Sequence, residues 1–209
     1  MNAFDLRTEL GELYRPRPGT PVIVSVPAID FLMIDGTGTP AAAPGYADAI
    51  ATLYPVVYTL KFSAKERGAD FRVMPLETLW WSEDGAALDV SDPESWRWTA
   101  MIAVPPWIEQ RDVVEALSNA ARKRPLPVGE PLRLERFHEG RSVQVMHIGP
   151  YGDEAPTIAA MLRFADDRGL APVGKHHEIY LSDPRRTAPE RLKTIVRIPL
   201  RRVRARRAA

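Results

Sequence analysis

The feature that most restricts this chain is an internal repeat. Ile34-Asp35-Gly36-Thr37-Gly38 precedes a stretch of helical periodicity, and Ile148-Gly149-Pro150-Tyr151-Gly152 precedes another in the second half. After each helix comes a strand-like segment bearing an acid: Leu76-Glu77-Thr78-Leu79, then His177-Glu178-Ile179-Tyr180. The order strand, helix, strand, strand therefore occurs twice. Neither half is large enough to bury both faces of its own sheet, so the two must pack side by side. The expected fold is α+β: two pseudo-symmetric strand–helix–strand–strand modules forming one antiparallel sheet, with helices on one face and a ligand cleft between the halves.

The local pattern sets the boundaries. Residues 1–20 are polar, with Pro16 and Pro18, and read as an N-terminal arm in which Leu6, Leu10, Leu13 and Tyr14 space a short helix. A single domain is expected over 21–200, with halves at about 21–107 and 125–200 and a linking helix at 108–124. Within it, Val22 to Ile34 reads as strand, and the glycines of Asp35-Gly36-Thr37-Gly38 as a turn. Gly45 to Arg67 is helical, with Pro55 expected to bend or split it. Segments 71–81 and 96–104 read as strands joined through Glu83-Asp84-Gly85, and 132–137 with 142–148 as a hairpin around Glu139-Gly140. A helix over 157–168 and strands at 176–181 and 194–200 complete the series. Residues 201–209 form a basic tail.

Composition narrows the chemistry. With no Cys in 209 residues there is no disulfide framework, thiolate nucleophile or thiolate zinc site. The 28 basic residues balance 27 acidic ones, but five Arg lie in the last nine positions, which leaves the body 23 against 27, a formal −4. A nucleic-acid reader carries its basic stripe on a folded element, so no specific nucleic-acid binding is expected. No apolar run approaches the ~18 residues of a membrane span and no signal peptide precedes the body, so no membrane association is expected and the location is read as cytoplasmic. His138, His147, His176 and His177 have no metal-site spacing, adjacent strand residues point to opposite faces, and neither metal nor cofactor is expected.

Glu77 and Glu178 are the most telling residues, because Glu is disfavoured in strands. If the halves are pseudo-symmetric, the two carboxylates enter one groove from opposite sides. In an apolar groove their ionisation is costly, so they suit recognition of a cation or N–H donor, or acid–base work. Tyr180 shares a strand face with Glu178 and is a candidate proton donor. All five Trp lie between positions 80 and 107. Trp81 and Trp107 are expected to face a ligand, with Trp80 and Tyr151 as further lining. Flat rings of this kind stack on planar or cationic compounds.

These residues also carry a resemblance. Lys61-Phe62-Ser63-Ala64-Lys65, Pro75-Leu76-Glu77-Thr78-Leu79-Trp80-Trp81, Met146-His147-Ile148-Gly149-Pro150-Tyr151-Gly152, His177-Glu178-Ile179-Tyr180-Leu181-Ser182-Asp183-Pro184 and Leu192 to Arg197 together resemble the GyrI-like small-molecule-binding family. The resemblance covers about Asp30 to Pro199 and implies two modules with a ligand cleft between them. It includes multidrug-sensing domains in which a buried Glu, matched here by Glu178, meets cationic aromatic drugs. Those regulators carry a helix-turn-helix segment that this sequence does not show, which implies a stand-alone role. Stand-alone members similar in the Trp80-Trp81 segment include hydrolases that open the cyclopropane of DNA-alkylating natural products. By that analogy Glu77, Trp80, Trp81, Trp107, Glu178 and Tyr180 line the site.

Three readings follow. The first is a binding protein for planar hydrophobic or cationic small molecules. The second is a hydrolase using the same cleft, with Glu178, Glu77 and Tyr180 as its chemical groups. The third is a module for a protein partner, such as a gyrase modulator.

Overall fold

The computed structural model describes residues 3–40, 44–82, 92, 95–127 and 131–203. The Glu83-Asp84-Gly85 connection and the end of the basic tail lie outside them. Two short helices, α1 (Leu6–Glu9) and α2 (Gly11–Tyr14), precede strand β1 (Val22–Thr37) and the long helix α3 (Pro44–Glu66). Strands β2 (Leu76–Ser82) and β3 (Trp96–Val104) close the first half. Helix α4 (Gln110–Lys123) links it to β4 (Arg133–Ile148), α5 (Ala155–Asp166), β5 (Leu170–Pro172), β6 (His176–Tyr180) and β7 (Lys193–Arg202). The α+β order of the repeat is therefore present.

The sheet runs β4-β1-β3-β2-β6-β7, and β7 pairs back onto β4, so the strands curve into a barrel-like ring, with β5 added on β7. Each of these strand pairings is antiparallel. Directly paired residues share a face, so register sorts the side chains. Inside the ring, Glu77 lies between Met101 of β3 and Ile179 of β6. On the outer face, Thr78 lies between Ala100 and Glu178.

The helices cover the outer face. Ala49, Leu53, Val56, Val57, Leu60 and Ala64 recur at helical spacing on α3 and are all buried, in one core with Leu32, Ile34, Ala100 and Ile102 of the sheet. That stripe keeps α3 a single 23-residue helix through Pro55. Its packed face outweighs the one hydrogen bond the proline removes. A second, smaller core gathers Met161 and Ala165 of α5 against Val143, Val145 and Val196. With α3 and α5 on separate cores, the outer face of β2 and β6 between them is left as a cleft.

Two local readings are corrected. The expected hairpin at Glu139-Gly140 is a corner within one 16-residue strand. Gly140 adopts φ +74, and its partner strand carries Pro27 one residue beyond Val26, its register mate. Across this corner the buried positions change parity, from Ile29 and Phe31 to Val26 and Val24 on β1 and from Glu139 to Ser142 and Gln144 on β4. A left-handed residue bends the strand while the ladder continues, and only Gly takes that conformation without cost. The expected turn at Asp35-Gly36-Thr37 is the end of β1. Gly36 pairs with Trp98, whose ring lies so close that a Cβ on residue 36 would sit 2.1 Å from Cζ2.

Candidate functional site

The cleft is built from β2, β3, β6 and the first turns of α3 and α5. Alternation along β6 sends His176, Glu178 and Tyr180 to the outer face, and β2 adds Thr78 and Trp80. Tyr46, in the first turn of α3, lies against Trp80 (centroids 5.3 Å) and edge-on to Trp98 (5.1 Å). Tyr151, in the short turn before α5, meets Tyr180 edge-on at 5.5 Å, and Trp96 backs Trp80 at 5.8 Å.

Polar atoms form a chain through this aromatic wall. Trp80 Nε1–H donates to Tyr180 Oη (3.3 Å), and Tyr180 donates to Glu178 Oε2 (2.7 Å). Glu178 Oε1 meets His176 Nε2 at 3.0 Å. Tyr46 Oη and Thr78 Oγ1 are 2.9 Å apart. Burial, and then the nearby Glu178 charge, push the Tyr180 hydroxyl well above its usual range; burial pushes Tyr46 to about 12. Both are therefore donors at neutral pH.

Glu154 completes the group. It stands at the start of α5, keeps 4% of its surface, and its Oε1 has no hydrogen-bond partner. Burial first, and then the Glu178 charge, push its carboxyl up to about 9, so it is a neutral acid at pH 7. Glu178 has a polar hydrogen-bonding atom at each oxygen, His176 at one and Tyr180 at the other. Glu154, His176 and Glu178 each offer an oxygen or nitrogen within 4.8 Å of the others, a donor set of the kind that holds a divalent cation.

Of the residues expected here, Trp80, Tyr151, Glu178 and Tyr180 come together. Glu77, Trp81 and Trp107 do not. Glu77 is inside the ring because Thr78, not Glu77, is the register mate of Glu178. There Glu77 accepts from Tyr14 Oη (2.9 Å) and pairs with His177 Nε2 at 3.0 Å. Trp81 is on the same inward-pointing parity, at the strand end, with Lys175 Nζ 3.4 Å over its ring. Trp107 lies beyond the opposite end of β3 and packs edge-on against Phe4 at 4.7 Å. Tyr46, Glu154 and His176 were missed. The signal for Tyr46 and Glu154 was positional: each follows a glycine-marked turn of the repeat at the head of a helix.

The GyrI-like small molecule binding domain matches residues 19–201. The chain belongs to the GyrI-like family. Among solved structures, this GyrI-like chain is similar to an uncharacterized conserved protein from Listeria innocua at 38% identity, covering 95% of this chain and 100% of that one, with a TM-score of 0.86. It is similar also to a hydrolase encoded by lin2189 from Listeria innocua, at 36% identity over 96% of this chain and 100% of that one, with a TM-score of 0.85. The EcmrR C-terminal domain, at 12% identity over 88% of this chain and 98% of that one and a TM-score of 0.56, shares the fold. No curated protein matches the chain. Among the described residues, no helix is long and apolar enough to cross a membrane.

Proposed function

We propose that this GyrI-like protein is a hydrolase of planar hydrophobic small molecules, and that its substrates carry a strained ring such as the cyclopropane of DNA-alkylating compounds. The observation that carries the reading is the buried Glu154 carboxyl, its Oε1 without a hydrogen-bond partner, beside Glu178 in an aromatic cleft. Burial raises the Glu154 carboxyl, which suits it to give a proton, while Glu178 is hydrogen-bonded at both oxygens beside it, and paired carboxyl groups in unlike surroundings suit an acid and a base. The 36%-identical Listeria innocua structures described as hydrolases support the same class.

In the proposed reaction a cyclopropane is conjugated to a ring ketone and lies flat against Trp80 and Tyr46. Glu154 gives its proton to the ketone oxygen. A water held by Glu178 attacks the cyclopropane methylene and passes its own proton to Glu178. The strained C–C bond breaks, and its electron pair enters the ring to form a phenol. The product is a phenol bearing a primary alcohol, and one water is consumed. Tyr180, donating to Glu178 Oε2, orients the base.

The test is incubation with a cyclopropane-bearing dienone and mass detection of a product heavier by one water. Glu154→Gln and Glu178→Gln should each lower turnover by about 10²–10⁴-fold, the usual worth of a general acid or base. Full turnover in both variants refutes the assignment. A second reading is a cytoplasmic binding protein for planar cations, favoured by aromatic rings surrounding carboxylates. It predicts tight binding of a planar cationic dye with no hydrolysis of any such substrate.

A further inference from the structure

The inside of the ring holds a second polar cluster that the cleft chemistry does not use. His177, with 1% of its side chain exposed, is clamped between two acids: Nε2 is 3.0 Å from Glu77 Oε2 of β2, and Nδ1 is 3.1 Å from Glu139 Oε2 of β4. Arg197 of β7, the register mate of His177, reaches the same Glu139 oxygen at 3.1 Å and Gln144 Oε1 at 3.0 Å. The N-terminal segment closes the cluster. Tyr14 donates to Glu77, Arg197 donates to the Leu13 carbonyl (2.9 Å), and Gln144 donates to the Glu12 carbonyl (2.8 Å). Tyr14, Glu77, Glu139, Gln144, His177 and Arg197 are all buried.

The cluster sets acids against bases. Both ring nitrogens of His177 face carboxylates, so both must carry hydrogen for neither contact to be repulsive. Two basic side chains, His177 and Arg197, thus stand against two acidic ones, Glu77 and Glu139. Burial pushes the His177 imidazole down, but Glu139 and then Glu77 outweigh it and hold the ring above its ordinary range. Taking away His177, Arg197, Glu77 or Glu139 leaves a buried partner without its opposite group, which is strongly unfavourable.

The cluster and the cleft share one five-residue strand. Along β6, His177 points into the ring, while His176, Glu178 and Tyr180 point out. Both neighbours of β6 are tied to His177: β2 directly through Glu77, and β7 through Arg197 and their common partner Glu139. The cleft bond from Trp80 to Tyr180 also crosses from β2 to β6. It is therefore sensitive to the position of the strand His177 holds. We infer that His177, clamped by Glu77 and Glu139 and sealed in by Tyr14, is a positioning residue that fixes β6 so that Tyr180, bonded to Glu178, meets Trp80 in the cleft. The N-terminal segment is thereby part of the functional unit, through the hydroxyl of Tyr14.

The test needs no ligand. The indole N–H of Trp80 gives its own resonance in a ¹H–¹⁵N spectrum, and that of Trp107 serves as an internal control far from β6. In full-length His177→Gln, and to a smaller degree in Tyr14→Phe, the Trp80 resonance should move upfield as its bond to Tyr180 loosens, while the Trp107 resonance stays in place. A merely structural cluster would lower stability and leave the Trp80 resonance of the folded protein unmoved. That result in both variants overturns the inference. Tyr14→Phe deletes one hydroxyl, so it answers the question even where His177→Gln does not fold. A kinetic arm rests on the hydrolase reading: kcat falls by about 10- to 100-fold with KM within about twofold, as expected when a catalytic group is displaced rather than removed. Absence of turnover in the unaltered protein refutes the hydrolase reading alone, because the indole signal still decides the positioning role.

Discussion

Arg197 offers the sharpest test of the buried cluster. It keeps 2% exposure and donates to Gln144, Glu139 and the Leu13 carbonyl at 2.9–3.1 Å. Replacing it by Met retains much of the volume but removes the cation and all three hydrogen bonds. Glu139 is then left in a dry interior with His177 as its one cation. Removal of one partner from a buried ion pair costs about 3–5 kcal/mol, within the ~5–15 kcal/mol of a typical domain's stability. With a urea m-value of about 2 kcal/mol/M, the unfolding midpoint should fall by about 1.5–2.5 M. The pH dependence should also invert. In the unaltered protein burial pushes the Glu139 carboxyl up, but the charges of His177 and Arg197 hold it below its ordinary 4.5. Its ionised form therefore stabilises the fold above that pH, and the contribution is lost as the pH falls through the folded value. Without Arg197 one of the two groups that oppose burial is gone, so the Glu139 carboxyl should rise, and lowering the pH from 7 toward 5 should restore part of the lost stability. Adding Glu139→Gln to Arg197→Met should recover about 1–3 kcal/mol as a coupling energy. A loss under about 1 kcal/mol at pH 7, well below the range for breaking a buried pair, refutes the reasoning, as does a double variant no better than the single one.

Other substitutions separate the cleft from its surroundings. Glu154→Gln should raise thermal stability at pH 7–8 by about 1 kcal/mol or more: the folded-state value of about 9 lies above the ordinary 4.5, so the native acid penalises folding increasingly as pH rises across that window. Calorimetric scans at pH 5 and pH 8 check it, and an equal effect at both pH values contradicts a neutral Glu154. Gly36→Ala places a methyl 2.1–2.6 Å from three Trp98 ring atoms. Chemical denaturation should report a loss of about 3 kcal/mol, the upper end for overpacking, and a change in Trp fluorescence should accompany it. Trp80→Ala should weaken binding of a planar cationic dye by about tenfold or more, as loss of a stacking aromatic anchor does. Trp107→Ala, which disturbs the Phe4 contact at the far end of β3, should leave the dye affinity unchanged.

The repeat was legible because hydrophobic periodicity and glycine-marked turns are local properties. They placed α3, α5 and the strands around them, and they identified Glu178, Tyr180, Trp80 and Tyr151 as residues of interest. The error at Glu77 came from aligning the repeats one residue out. Side chains in a strand have a period of two, so a slip of one position moves a residue to the other face. Thr78, not Glu77, therefore faces the cleft with Glu178. Glu154 was hidden for a different reason. An acid in the first turn of a helix has an ordinary explanation at the helix dipole, and nothing in Gly152-Asp153-Glu154 marks which of two neighbouring acids is buried.

Sequence alone determined which elements form and that two similar units must share a sheet, since each is fixed by spacing along the chain and by the need to bury one apolar face. Tertiary structure decided that the sheet closes on itself through β4 and β7, and with closure came an inside and an outside. That division sends His177 to a charge-balanced interior and Glu178 to an aromatic cleft, although the two are neighbours in the chain. Their partners Glu139, Arg197, Trp80 and Glu154 arrive from distant segments, and the chemistry of each site belongs to those encounters, which no local pattern encodes.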